Sequence, residues 1–311
     1  MRFFGAILIA AVLVLSIAGS AAAKPPMSTG KGGKQGPITP PPRGVSQVIG
    51  VVIKSEQAPN GGTRTITMVL TGLSAPPGNV DADMLLYEPF EVSCPLKDTD
   101  VPPGYRLLTW CHVAVPQVIG AGVEGSHTPV GIVGMDGAVD KFEMSAEPDF
   151  DLMKKVLEEA MSAESRSMVV DVLIGLPGKR SSRTLVTAVY DLSLPVRLKA
   201  ARELIARNYE PAIEKLTAML LGDIESELTF QVDLAEELAA AGHKEGTDFL
   251  LRHTGDDNPG IAIAAIRALA RTGGADEAAS LKALAESAED EEVAKAAKEA
   301  AEEIEQRLSE E

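Results

Sequence analysis

The sequence predicts a multidomain α and β protein, with a small N-terminal antiparallel β sandwich or barrel followed by a C-terminal α-solenoid of stacked helix pairs. Three observations carry this expectation. Short β-branched runs punctuated by Gly and Pro fill residues 45–145; from Asp149 onward glycine is sparse and apolar residues recur at three- and four-residue steps; and beyond residue 190 that helical pattern itself repeats.

In chain order, the first element is a targeting segment. Arg2 gives a positive start, Ala6 to Ile17 is apolar and uncharged, and small residues follow up to Ala23. Ala21 and Ala23 fit a signal-peptidase site, so residues 1–23 are expected to be a signal peptide cleaved between Ala23 and Lys24. The apolar run is shorter than the ~20 residues that span a bilayer. After cleavage no stable membrane insertion is expected, and the product is placed in the periplasm or outside the cell. Residues 24–44 then carry six prolines, five glycines, four cations and no acid. So little apolar surface predicts a disordered linker.

The β-rich domain is expected over 45–145. Val48, Val51, Val52 and Ile53 form one run, and Ile66, Met68 and Leu70 alternate with Thr65, Thr67 and Val69 in the next. Asn60, Gly61 and Gly62 lie between the two, which is a hairpin signal. Further strands are expected at Met84 to Cys94, Tyr105 to Val115, Val130 to Met135 and Val139 to Met144.

Export gives the cysteines a meaning. In an oxidising compartment Cys94 and Cys111 are most simply joined as one disulfide, bracing the loop that holds Pro95, Pro102, Pro103 and Gly104. The competing use is a metal site of Cys94, Cys111, His112 and His127, for which no C-x-x-C or H-x-x-x-H spacing is present. Gly120, Gly122 and Gly125 match G-x-G-x-x-G after an apolar stretch, but Pro129 follows where a helix should begin. Without helix amides to meet a pyrophosphate, no cofactor is expected there. His243 and His253 belong to the helical half, and no histidine sits in a hydrolase signature. No catalytic residue, cofactor or metal is therefore assigned, and the chain is expected not to be an enzyme.

The helical domain is expected over 149–311. Leu152, Val156, Leu157, Ala160 and Met161 make one apolar stripe, and Lys154, Lys155, Glu158 and Glu159 the polar side. Segments near Met168 to Leu176 and Ser182 to Asp191 continue the pattern, with Lys179, Arg180 and Arg183 as a solvated helix start. Val196, Ala200 and Leu204 then fall on one stripe. After Asn208 to Pro211 a partner helix offers Ile213, Leu216 and Leu220. The final helix sets Val293, Ala297, Ala301, Ile304 and Leu308 against a crowd of acids.

Asp191, Val196, Arg197, the pair Ala200 and Ala201, and Leu204 resemble the repeat consensus of the HEAT family, particularly the bacterial lyase-type HEAT-like repeats. A second copy starts at Asp256 with Ile261, Ala265, Ile266, Arg267 and Leu269, a weaker one contains Leu238 and Gly242, and a last one starts at Asp290. The resemblance covers about 191–311. It implies stacked helix pairs that present an extended surface to other proteins. Some lyase-type members act on chromophore-bearing antenna subunits in the cytoplasm, and the export signal argues against carrying that activity over.

Charge limits the partners. A formal net charge of -16 opposes nucleic acid and anionic membrane surfaces, which select basic patches. The expectation is an exported scaffold or adaptor that binds a protein partner. The alternative is an enzyme or accessory subunit with its site in the β-domain or at the domain junction.

Overall fold

The computed structural model describes residues 46–57, 64–73, 86–94, 101–111, 142–222 and 228–310. All of them belong to one compact unit, Pro41–Glu311. Five strands are described: β1 (Ser46–Gln57), β2 (Arg64–Leu73), β3 (Pro89–Cys94), β4 (Tyr105–Cys111) and β5 (Phe142–Pro148). They form a single antiparallel sheet in the order β3-β2-β1-β4-β5. Among the described residues there is thus one sheet, with neither a second sheet nor a closed barrel. The Asn60 to Gly62 turn and the Val130 to Met135 strand lie outside the described residues.

The alternation of β2 sets the two faces of the sheet. Ile66, Met68 and Leu70 join Val48, Val52, Phe90, Val101 and Leu107 in one core, all nearly inaccessible. Val69 points the other way, and with Val51 it enters the helical core. The two regions expected as separate domains therefore share apolar packing. Gly104 is needed at that junction. Its φ is +86°, its N–H donates to the Val52 carbonyl, and a Cβ there would stand 2.8 Å from a Leu176 methyl.

The helices described are α1 (Phe150–Glu159), α2 (Ala163–Gly175), α3 (Lys179–Ala188), α4 (Leu194–Ala206), α5 (Glu210–Leu220), α6 (Leu228–Ala240), α7 (Lys244–His253), α8 (Pro259–Thr272), α9 (Ala275–Ser287) and α10 (Glu291–Glu310). Each odd-numbered helix packs on the even one that follows it. The even helices also pack side by side, α2 on α4, α4 on α6, α6 on α8 and α8 on α10. α4 begins at Leu194 and α8 at Pro259, 65 positions later, with α6 between them. The repeat read from the sequence is therefore one helix pair.

Start and stop signals explain most boundaries. Asp149 accepts the Leu152 N–H at the start of α1, and Ser162 accepts the Ser165 N–H at the start of α2. Asn208, at φ +49°, turns the chain out of α4, and Pro211 sits in the first turn of α5. One expectation needs correction. Met161 continues the α1 stripe in sequence, yet it is 94% exposed, because the chain leaves the helix at Ala160 to reach the Ser162 cap. Leu152 in α1 is half-buried and Leu308 near the end of α10 is exposed, while the remaining members of the predicted stripes are buried: Val156, Leu157 and Ala160 in the α1 segment, Val196, Ala200 and Leu204 in α4, Ile213, Leu216 and Leu220 in α5, and Val293, Ala297, Ala301 and Ile304 in α10.

Candidate functional site

The even-helix layer carries the feature with the most chemistry. Along the outward side of α4 runs a trough of about 660 Å³. Its floor is apolar, from Leu194, Pro195, Leu198 and Ala206 of α4 with Ile174 of α2, and α6 forms a wall with Phe230, Asp233 and Glu237. From Leu194 to Ala206 the helix advances about 18 Å. That length matches five or six residues of extended peptide, or three turns of helix.

Charged side chains rim the trough in pairs that link successive helices. Lys199 bonds Asp171 at 2.6 Å and Ser167 at 3.2 Å, tying α4 to α2. Arg202 bonds Glu237 at 2.6 Å, tying α4 to α6. Arg271 of α8 holds Glu236 from the other side. Glu203 pairs with Arg207 at 2.6 Å. Asp233 differs. No described residue makes a hydrogen bond or ion pair with it, although Arg202 and Arg271 are close enough to act on it through space. Partial desolvation, then the neighbouring Glu236 carboxylate, raise its pKa above the usual carboxylate range against the pull of those two arginines.

Beneath the rim, arginines hold the helix ends. Arg207 donates to the Leu173 and Ile174 carbonyls at 3.0 and 2.7 Å, capping the C-terminus of α2 from the end of α4. Arg307 repeats the device three pairs on, donating to the Ala270 carbonyl at 2.8 Å and the Arg271 carbonyl at 2.6 Å, with a further bond to Gly273. A third arginine is buried. Arg166 meets Asp191 through two bonds of 2.6 and 2.9 Å and also caps α1 at the Ala160 and Met161 carbonyls. Asp191 completes its set by accepting the Ser193 N–H at 2.7 Å.

The repeat acids named from sequence thus acquire a common task. Asp191, Asp256 and Asp290 each accept backbone N–H groups where α4, α8 and α10 begin. His253 ends α7, stacked 4.4 Å from the Phe249 ring and bonded to Asp256 at 3.0 Å, while His243 precedes α7. Arg180, from the predicted basic cluster, pairs with Glu147 at 3.3 Å and lies over the Phe150 ring.

The structure does not bring Cys94 and Cys111 together. Cys94 pairs with Arg64, which pairs with Gln57 at one end of β1; Cys111 pairs with Ser46 at the other end. Two strands and eleven residues of β1 lie between them, on the order of 35 Å at about 3.3 Å per residue. A disulfide needs Cα atoms within about 7 Å. In the strand order β3 and β4 flank the central pair rather than adjoining, so the register sets the backbone of the two cysteines expected to form the bridge at opposite corners of the sheet. Ala23, Lys24, His112, His127 and the Gly120 to Gly125 motif lie outside the described residues. Among the described residues, no three His, Cys, Asp or Glu side chains are placed to hold a metal ion, and no helix is long and apolar enough to cross a membrane.

Nothing in the sequence set apart Arg166, Arg202, Arg207 or Asp233. The one available signal was the place of Arg202 and Asp233 on the polar side of the helical period of α4 and α6; for Arg166 and Arg207 there was none. No curated protein matches the chain. Residues 229–302, from the start of α6 into α10, match the family model for HEAT repeats, and that segment is a HEAT-like helical repeat of the kind that serves as a scaffold for protein interaction.

Proposed function

We propose that this chain is an exported scaffold or adaptor that binds a protein partner along the α4 trough, and that it acts by binding rather than by catalysis. The observation that carries the proposal is the trough itself: an apolar floor beside a polar rim, on a face made by successive second helices. An interface of this kind pairs a desolvated apolar centre with a charged border. The β-region, which we take to close into a small sandwich or barrel, serves as a second binding or anchoring module. The N-terminal signal supports export, with the mature chain beginning at Lys24.

A photo-crosslinking amino acid placed at Leu198 in the trough, and for comparison at Glu214 on the exposed side of α5, tests the binding face in the producing cell. A discrete protein adduct is expected from position 198 and not from 214. Equal labelling from both positions, or none from 198, removes the trough from the proposal.

A further inference from the structure

Taking the trough as the binding face, we infer that it selects a peptide segment carrying one Lys or Arg beside apolar side chains, with the cation seated at Asp233. The floor fixes the apolar part. Ile174, Leu194 and Leu198 offer water-exposed or half-exposed aliphatic surface with no covering element among the described residues, and burying such surface is the general source of peptide affinity.

Charge accounting on the α6 wall supplies the cation. α6 carries three carboxylates within two turns, Asp233 and Glu237 in the trough wall and Glu236 beside them. Two guanidiniums reach them, Arg202 onto Glu237 and Arg271 onto Glu236. On the opposite side Lys199 is engaged by Asp171, and Glu203 by Arg207. The trough lining therefore closes on itself except at one carboxylate. An anionic or neutral segment leaves Asp233 to lose water without compensation. A cationic side chain entering above Leu198 supplies the missing counter-charge, and it does so where like-charged neighbours make that charge most welcome. The preference for a cation follows from what the lining lacks, and the preference for apolar neighbours from what it offers.

The two requirements separate in one experiment. Displayed random hexapeptides are selected on the full-length purified chain, and in parallel on Asp233→Asn and Leu198→Glu variants. The wild type is expected to enrich peptides with a Lys or Arg next to one or two large apolar residues. Asp233→Asn is expected to keep the apolar preference and lose the cationic one, and the wild-type winners, resynthesised with blocked ends, should bind it about three- to tenfold more weakly. Their affinity for the wild type should fall with added salt. Enrichment of apolar peptides with no cation, or with acids, overturns the inference and leaves the trough as a binding face. Winners that bind Leu198→Glu as tightly as the wild type, or no enrichment at all, overturn both.

Discussion

Asp191 is the residue whose loss the protein should feel most. It is almost fully buried and holds the two-pronged bond to Arg166 and the N–H of Ser193 together. Removing one member of a buried pair strands the other charge, at about 3–5 kcal/mol. Asp191→Ala is therefore expected to lower unfolding stability by that amount in a urea titration, with an unchanged slope if the native fold survives. A loss below about 1 kcal/mol would show the pair to be dispensable. Asp256 performs a related task nearer the surface. The Asn258 N–H first, and then His253, hold its carboxyl below the usual value of about 3.9. A carboxyl depressed in the folded state contributes stability above the unfolded pKa and loses it as pH falls through the folded one. Between pH 5 and 2, Asp256→Asn should lose less stability than the wild type. Parallel acid titrations followed by circular dichroism would reveal the difference, and superimposable curves would deny Asp256 this role.

Among elements, the contact of α6 with α7 is the tightest constraint. Gly246 in α7 is buried so close to α6 that a Cβ would stand 2.4 Å from the Ala235 carbonyl and 2.6 Å from the Ala239 nitrogen. Backbone cannot yield as a flexible side chain can. Gly246→Ala, which improves helix propensity on an open surface, should here destabilise by about 1–3 kcal/mol. Ala265 plays the same part in α8, where it is fully buried. Ala265→Leu should force neighbouring helices apart at a similar cost, and a thermal melt as high as the wild type's would count against close stacking at that point. The small residues explain how a chain with 4% aromatics fills its interior. Helix existence and burial were legible at this scale because apolar spacing is a local property. Helix ends were less so: Met161 keeps the beat of α1 yet lies in the turn, and Leu308 keeps that of α10 yet is 41% exposed.

For the whole molecule, the strand order makes a sharp prediction about the thiols. With β1 and β2 between the strands that bear them, Cys94 and Cys111 should not be joined to each other. Mass spectrometry of the protein isolated from its producing cell, digested without reduction, is expected to contain no peptide pair linking the two. Such a pair would demand a sheet rearranged from this one. The sharing of Val51 and Val69 between sheet and helices predicts a second large-scale property. Sheet and first helices should unfold together, so fluorescence of Trp110 in β4 and helical circular dichroism should report coincident transitions in denaturant.

Periodicity alone determined that the C-terminal half is helical, that it repeats, and that Asp191, Asp256 and Asp290 each open a unit of the repeat, because the pattern that marks each unit lies within a few turns of chain. What the tertiary structure decided is everything that joins positions distant in the chain. It set Arg202 against Glu237 and Arg271 against Glu236, left Asp233 over, capped α2 with Arg207, and parted two cysteines only seventeen residues apart. The reason is physical. Helix and strand patterns record which side of an element faces water, whereas the choice of neighbour is made by packing, and packing leaves no mark in the spacing of a single segment.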